Sequence, residues 1–292
     1  MFMPVLCLIA DPADSELDPA LAAAVLAQTG GELNWLNHSI ACEIIEPKST
    51  DALGVARAVI GERRVDANLV PSENRRKKIL VADMDSTMIN EECIDELAAT
   101  VGLKEQVADI TARAMRGELD FEQALDTRVA LLKGLNRSAI EAVRREQITL
   151  APGGRVLVQT MKEYGSYTSL VSGGFTFFAD YFGKRIGFHE AIANVLEFDG
   201  DALTGTVRKP IVDKNTKRER LTALAAERGL SLADTLAVGD GANDLDMIRV
   251  AGFGVALHAK ATVAEQAGIR IDHGDLTALL YLQGYGEEEF IR

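Results

Sequence analysis

The sequence is short of cysteine. Cys7, Cys42 and Cys93 stand far apart in a chain of 292 residues, with no CxxC spacing. That argues against a disulfide framework or a thiolate zinc site and fits a reducing compartment. The four histidines, His38, His189, His258 and His273, also lack ligand spacing and are assigned no role. Positive charge is the second shortage: 31 Lys+Arg stand against 44 Asp+Glu, a net charge of −13. A general nucleic-acid or anionic-membrane surface needs clustered positive charge, so neither partner is expected. No stretch approaches the roughly 18 unbroken apolar residues of a membrane helix. The opening MFMPVLCLIADPAD has no basic n-region, so it reads as a first strand rather than a signal peptide, and a cytoplasmic location is expected. What remains, 47% hydrophobic and 26% charged residues, is ordinary for a folded globular protein.

The length suits two domains, or one domain with insertions. Residues 4–10 read as a strand, 17–29 as a helix stopped by Gly30-Gly31, and LNWLN near residue 35 and 39–46 as two strands. A helix over 50–60 and a strand over 65–70 complete a β-α-β-β-α-β order, that of a ferredoxin-like domain. By element order alone, residues 1–72 look like the amino-acid-binding ACT modules. The polar stretch 71–78 (PSENRRKK) reads as a linker, its basic run a solvated approach to the next strand. From Ile79 the pattern becomes one of buried runs, ILVAD, YTSLVSGG, TLAVGDGAND, GVAL and IRID, most of them separated by helical stretches. That is the pattern of a doubly wound parallel sheet, a Rossmann-like α/β core over 73–90 and 151–292. Residues 91–150 are too long for a βα connection and rich in helix formers, so they are expected to form a helical cap over the sheet edge. Asp199-Gly200 in a second, smaller insertion predicts a hairpin turn.

The chemistry-bearing residues fall at the expected strand ends. Asp83 and Asp85, in DMDST, follow a buried strand. Alternation would send both carboxylates to one side, where two like charges call for a divalent cation. Ser172-Gly173-Gly174 offers a hydroxyl and unobstructed backbone N–H groups, a cradle for phosphate oxygens. Gly239-Asp240-Gly241-Ala242-Asn243-Asp244 adds another hard oxygen donor in Asp240 and a neutral donor in Asn243. Each tripeptide alone is most often a turn. The series in this order is what carries weight.

With these motifs, residues 79–292 resemble the haloacid dehalogenase superfamily of phosphohydrolases, and within it the phosphoserine phosphatases. The front domain lies outside the resemblance. It implies Mg²⁺-dependent hydrolysis of O-phospho-L-serine, the last step of L-serine synthesis, with Asp83 as nucleophile and Asp85 as general acid and base. The metal would be held by Asp83, Asp240 and the backbone carbonyl of Asp85. The resemblance also asks for a lysine before a helix. Lys217 is favoured as phosphate ligand with Lys214 the fallback, and Asp244 would orient that lysine or the metal's water. Ser172, Gly173 and Asn243 would contact substrate. Glu92 matches the ammonium-binding glutamate and Arg128 the carboxylate-binding arginine, while Met115 and Phe121 match apolar cap residues closing over the substrate.

Other readings stay open. A phosphatase of the same superfamily acting on phosphoethanolamine would have no use for Arg128, though one acting on phosphohomoserine or phosphothreonine would. A DxD glycosyltransferase would need neither SGG nor GDGAND. The chain could also be chiefly an amino-acid sensor through residues 1–70. The sequence leaves the oligomeric state open, a homodimer through the N-terminal domain being one option.

Overall fold

The computed structural model describes residues 4–115 and 118–292. The chain begins with β1 (Pro4–Ala10), α1 (Pro19–Thr29), β2 (Glu32–Asn37), β3 (Ala41–Ile45), α2 (Ala52–Ile60) and β4 (Val65–Pro71). Both helices start where a side chain can satisfy a free N–H: Asp18 accepts from Leu21 and Asp51 from Gly54. The strands form one antiparallel sheet in the order β2-β3-β1-β4, as the ferredoxin-like reading requires. Leu6, Leu8, Cys42 and Ile44 pack one face of this sheet under the two helices. Val5, Cys7, Ile9 and Val70 on the other face join the core of the second domain.

That second domain runs through β5 (Ile79–Ala82), α3 (Cys93–Thr100), α4 (Lys104–Met115), α5 (Phe121–Ala130), α6 (Arg137–Glu146), α7 (Gly154–Glu163), β6 (Tyr167–Phe175), α8 (Thr176–Ile186) and β7 (Glu190–Asn194). It continues with β8 (Leu196–Asp199), β9 (Ala202–Val207), α9 (Lys214–Glu227), β10 (Thr235–Gly239), α10 (Leu245–Val250), β11 (Phe253–Leu257), α11 (Ala261–Ala264), β12 (Ile269–Ile271) and α12 (Ala278–Leu282). Six strands make a parallel sheet in the order β12-β11-β10-β5-β6-β7. The chain leaves β5 toward β6 on one side and returns to β10 on the other. A crevice therefore opens at the C-terminal end of β5, where such sheets bind ligands.

Helices α3–α6 stand between β5 and β6 over that edge. The β8–β9 hairpin, which turns at Asp199-Gly200 with Gly200 at φ 58°, joins them from the other side of the sequence. Gly134 and Arg137 donate backbone bonds to Leu203 and Asp201, and Lys209 pairs with Glu122 and Asp126 on α5.

The basic run before β5 is only in part a solvated approach: Lys78 is exposed, while the other three cations are engaged. Arg75 pairs with Glu43 at 2.7 Å between the domains, and Arg76 with Glu289 at 2.8 Å. Lys77, 3% exposed, donates to the carbonyls of Asn74 and Ala233. The front domain packs its second sheet face here, where Arg75 supplies the polar partner that burial of Glu43 demands, while Arg76 and Lys77 bond the linker and the second domain. Asp66 and Asn68 on β4 add to the seam. Asp66 accepts from the N–H groups of Asp272, His273 and Gly274, and Asn68 bonds both backbone groups of Arg270. Among the described residues no helix is long and apolar enough to cross a membrane.

Candidate active site

Asp83 extends the ladder of β5 by one bond, its N–H donating to Val238 at 3.0 Å. The chain then wraps: the N–H groups of Thr87, Met88 and Ile89 all converge on the carbonyl of Met84. Ser86 sits inside this turn at φ 54°, a left-handed conformation that costs a non-glycine residue energy and marks a constrained site. Because of the wrap the two aspartates do not follow simple strand alternation. Asp83 faces the crevice floor. The Asp85 carboxylate turns to accept from Cys93 N–H at 2.8 Å and from Ser172 Oγ at 3.0 Å.

The floor is a cluster of three carboxylates, Asp83, Asp240 and Asp244, whose ligand oxygens lie within 4.8 Å of one another. Asp83 follows β5, and Asp240 and Asp244 both lie in the connection from β10 to α10, so two neighbouring strand ends of the sheet supply them. Lys217, from the first turn of α9, reaches in with Nζ 2.7 Å from Asp83 Oδ1 and 2.6 Å from Asp244 Oδ1. Its helix starts there because Asp213 accepts from Thr216 N–H while Thr216 Oγ1 accepts from Asp213 N–H. Lys217 is 1% exposed. Burial works against its charge, but Asp244 and then Asp83 more than offset that and hold the ammonium above the ordinary lysine range. Lys214 lies on the surface, 3.9 Å from Asp246.

Three carboxylates around one ammonium leave an excess of negative charge in a partly dry floor. Asp240 shows the strain: burial, then the charge of Asp83, push its carboxyl up to about 6. Thr87 Oγ1 donates to it at 3.3 Å. Hard oxygen donors gathered this closely, with charge left over, suit a divalent cation of the magnesium or calcium type. The side chain of Asp85 is not part of this donor set.

Burial raises the Asp85 carboxyl above the usual carboxylate range and the charge of Asp83 adds to the push, while the hydrogen bonds from Cys93 and Ser172 pull the other way. Ser172 Oγ, expected free for an anion, is committed to Asp85 and also accepts from Gly174 N–H at 2.8 Å. Only glycine fits next to it. A Cβ on Gly174 would meet Asp85 Oδ2 at 2.6 Å, and one on Gly173 would press on the Phe121 ring at 3.2 Å. Phe121, the first residue of α5, thus lies over the SGG turn. Asn243 Nδ2 stands 3.5 Å from Asp83 Oδ2.

Glu92, just before α3, accepts from Ser86 Oγ at 3.0 Å. Enclosure by protein and then the charge of Asp85 raise its carboxyl well above the usual range; its outer part meets solvent, which tempers that shift. Arg128 on α5 bonds Ala124 O and Thr111 Oγ1 and feels Glu92, Asp95 and Asp85 electrostatically. Met115 ends α4, and its side chain lies outside the described residues. Sequence reasoning passed over Thr87, which DMDST contains, and Asn194, which no motif marks.

An open parallel sheet with acids gathered at the C-terminal end of its central strands, one buried lysine among them and a helical roof, defines an α/β enzyme of the Rossmann-like type. Residues 80–249 match the haloacid dehalogenase-like hydrolase family, and the chain belongs to it. It is 43% identical over 269 residues to a Streptomyces coelicolor protein named phosphoserine phosphatase, covering 92% of this chain. The chain spans under two thirds, 62%, of that relative's length. A haloacid dehalogenase family hydrolase from Salmonella enterica serovar Typhi superposes with TM-score 0.83 at 28% identity, covering 98% of this chain and 99% of that one. A structure described as a phospho-aspartyl intermediate analogue of phosphoserine phosphatase matches at TM-score 0.66 and 40% identity, over 70% of this chain and 98% of that one.

Proposed function

We propose that this chain hydrolyses O-phospho-L-serine to L-serine and phosphate through an aspartyl-phosphate on Asp83. The reaction would form the last step of L-serine synthesis in the cytoplasm. The observation that carries the substrate is a carboxyl and a guanidinium beside the acid cluster, Glu92 and Arg128, each close enough to act electrostatically on Asp85. A phosphoserine carries an ammonium and a carboxylate beside its phosphate, and this pair is complementary to both. The names of the Streptomyces relative and of the phospho-aspartyl analogue support the same reading.

In this mechanism Asp83 Oδ1 is held by Met84 N–H at 2.8 Å and by Lys217, and Oδ2, met at 3.5 Å by Asn243 Nδ2, is the oxygen that attacks phosphorus. As the Asp83–phosphorus bond forms, the bond to the seryl oxygen breaks, and protonated Asp85 gives that oxygen its proton. Its raised carboxyl is suited to hold one beforehand. Water then attacks the phosphorus, Asp85 takes the water's proton, and phosphate leaves Asp83 free. Asp83 and Asp240 would hold Mg²⁺, with the backbone carbonyl of Asp85. When bound, the ion neutralises the repulsion between a carboxylate nucleophile and an anionic ester. Lys217 and the N–H groups of the SGG turn would carry the charge that spreads over the equatorial phosphate oxygens. Phe121 would close the site against bulk water.

Phosphate release from O-phospho-L-serine and from p-nitrophenyl phosphate, with and without Mg²⁺, tests the reading. Arg128→Ala is expected to lower kcat/KM for phosphoserine about 100-fold, the size of losing a charged carboxylate contact, and to change the generic ester less than about tenfold. Equal loss on both substrates, or no turnover of phosphoserine by wild type, overturns the substrate assignment.

A further inference from the structure

One buried polar side chain beside the site has no part in the mechanism above. Asn194, the last residue of β7, is 2% exposed. Its Oδ1 accepts from Val212 N–H at 2.7 Å, while Nδ2 donates to the carbonyls of Gly173 at 2.8 Å and Val212 at 3.3 Å. The amide's orientation follows from its partners, since an oxygen must face the N–H and the two N–H donors the two carbonyls. One primary amide therefore satisfies three backbone groups on two separate segments. Toward Val212 it presents a donor and an acceptor, as a neighbouring strand would.

Those segments are the two that the phosphate would touch. The β6–β7 pairing steps from Val171 opposite Ile192 to Phe175 opposite Asn194, so Ser172, Gly173 and Gly174 bulge out against a single residue of β7. A bulge loses its ladder bonds and needs other partners to keep one shape. Here the Gly173–Gly174 peptide is held at both ends, its carbonyl by Asn194 and its N–H by Ser172 Oγ. On the other side, Val212 directly precedes Asp213, the residue that caps α9 and so sets where Lys217 enters the floor. Phe121 closes over the same point, its ring above Gly173.

We infer that Asn194 is a positioning residue, which holds the SGG turn in register with the lysine-bearing helix so that both meet one phosphate group. The inference rests on the phosphatase reading for its ligand, but not on serine as the rest of the substrate. Asn194→Asp keeps the shape and replaces two donors by an oxygen facing two carbonyls. Asn194→Ser is smaller and keeps one hydroxyl.

The test uses the full chain with Mg²⁺ present and reads orthophosphate binding by calorimetry beside kinetics. For Asn194→Asp the dissociation constant of orthophosphate is expected to rise about tenfold, one hydrogen bond's worth of misplacement. Its kcat/KM is expected to fall about 100-fold, as small displacements at a reacting centre do. Both substrates should lose alike, because the turn meets phosphate and not the amino acid. Arg128→Ala, by contrast, changes their ratio. Asn194→Ser should fall between wild type and the aspartate variant, and it decides the matter if the latter does not fold. A lower melting temperature with wild-type orthophosphate affinity and wild-type kcat/KM in the folded protein overturns the inference, leaving Asn194 a packing residue. A wild type that binds orthophosphate but ignores phosphoserine overturns the substrate assignment instead, and the orthophosphate affinities still decide the role of Asn194.

Discussion

Asp83→Asn is expected to lower kcat on phosphoserine at least about 10⁴-fold, the scale on which removing a covalent nucleophile acts, while the protein still folds and melts within a few degrees of wild type. The asymmetry between chemistry and stability follows from the contacts. An amide oxygen can still accept from Met84 N–H and from Lys217, so the turn and the lysine keep their partner. What disappears is one negative charge from a floor that has too many. Asp240, pushed up to about 6 by burial and then by Asp83, is relieved by the change. Steady-state kinetics beside a thermal melt measures both halves. Covalent phosphate on residue 83, trapped by acid quench and seen by mass spectrometry in wild type and absent in the variant, identifies the step that was lost. A variant keeping a tenth or more of wild-type kcat would show that the reaction does not pass through Asp83.

Lys217→Ala should do the opposite to stability. It leaves Asp83 and Asp244 buried with no ammonium between them, and stranding a buried charge costs about 3–5 kcal/mol. The pH dependence has a definite sign. In wild type the Lys217 pKa is raised on folding, so its contribution is fully present below the unfolded value of 10.5 and is lost only as pH climbs through the folded one. In the variant, burial and Asp83 act on Asp244 without the lysine's opposing pull, and both push its carboxyl up. The folded variant then binds a proton that the unfolded chain has released, so its stability falls as pH rises from about 4 through neutrality. Urea unfolding at pH 5 and pH 8 should show the gap between wild type and variant widening at the higher pH. Equal gaps at both would mean that Lys217 acts through packing alone.

Much of the floor was legible in the chain because hydrolases of this kind place their charged groups where parallel strands end. DMDST, SGG and GDGAND each follow a buried run, and the structure sets all three on one edge. Lys217 against Lys214 was not decidable from spacing alone. The two are three residues apart on one helix, and the direction of that helix's first turn buries one and leaves the other on the surface. The basic run before β5 misled in part for a related reason: Lys78 is exposed as read, but Arg75 and Lys77 are drawn inward by partners distant in sequence. Asn194 carried no signal, because its partners are backbone groups far away in sequence whose identity leaves no motif.

By itself the sequence determined the alternation of buried strands and helices, the two insertions, and which residue types close each strand. Those are local matters of period, turn chemistry and hydrophobic run length. The tertiary structure alone decided where the Asp85 carboxylate points. Asp85 leaves the acid cluster for Ser172 and Cys93, because the wrap at Met84 sets a side-chain direction that no spacing encodes, whereas Asp244 meets Lys217 as the motif series implied. It also decided that the front domain is pinned to the core through Asp66, Asn68 and Arg75. Burying a polar group requires a partner, and only the folded chain shows which one is within reach.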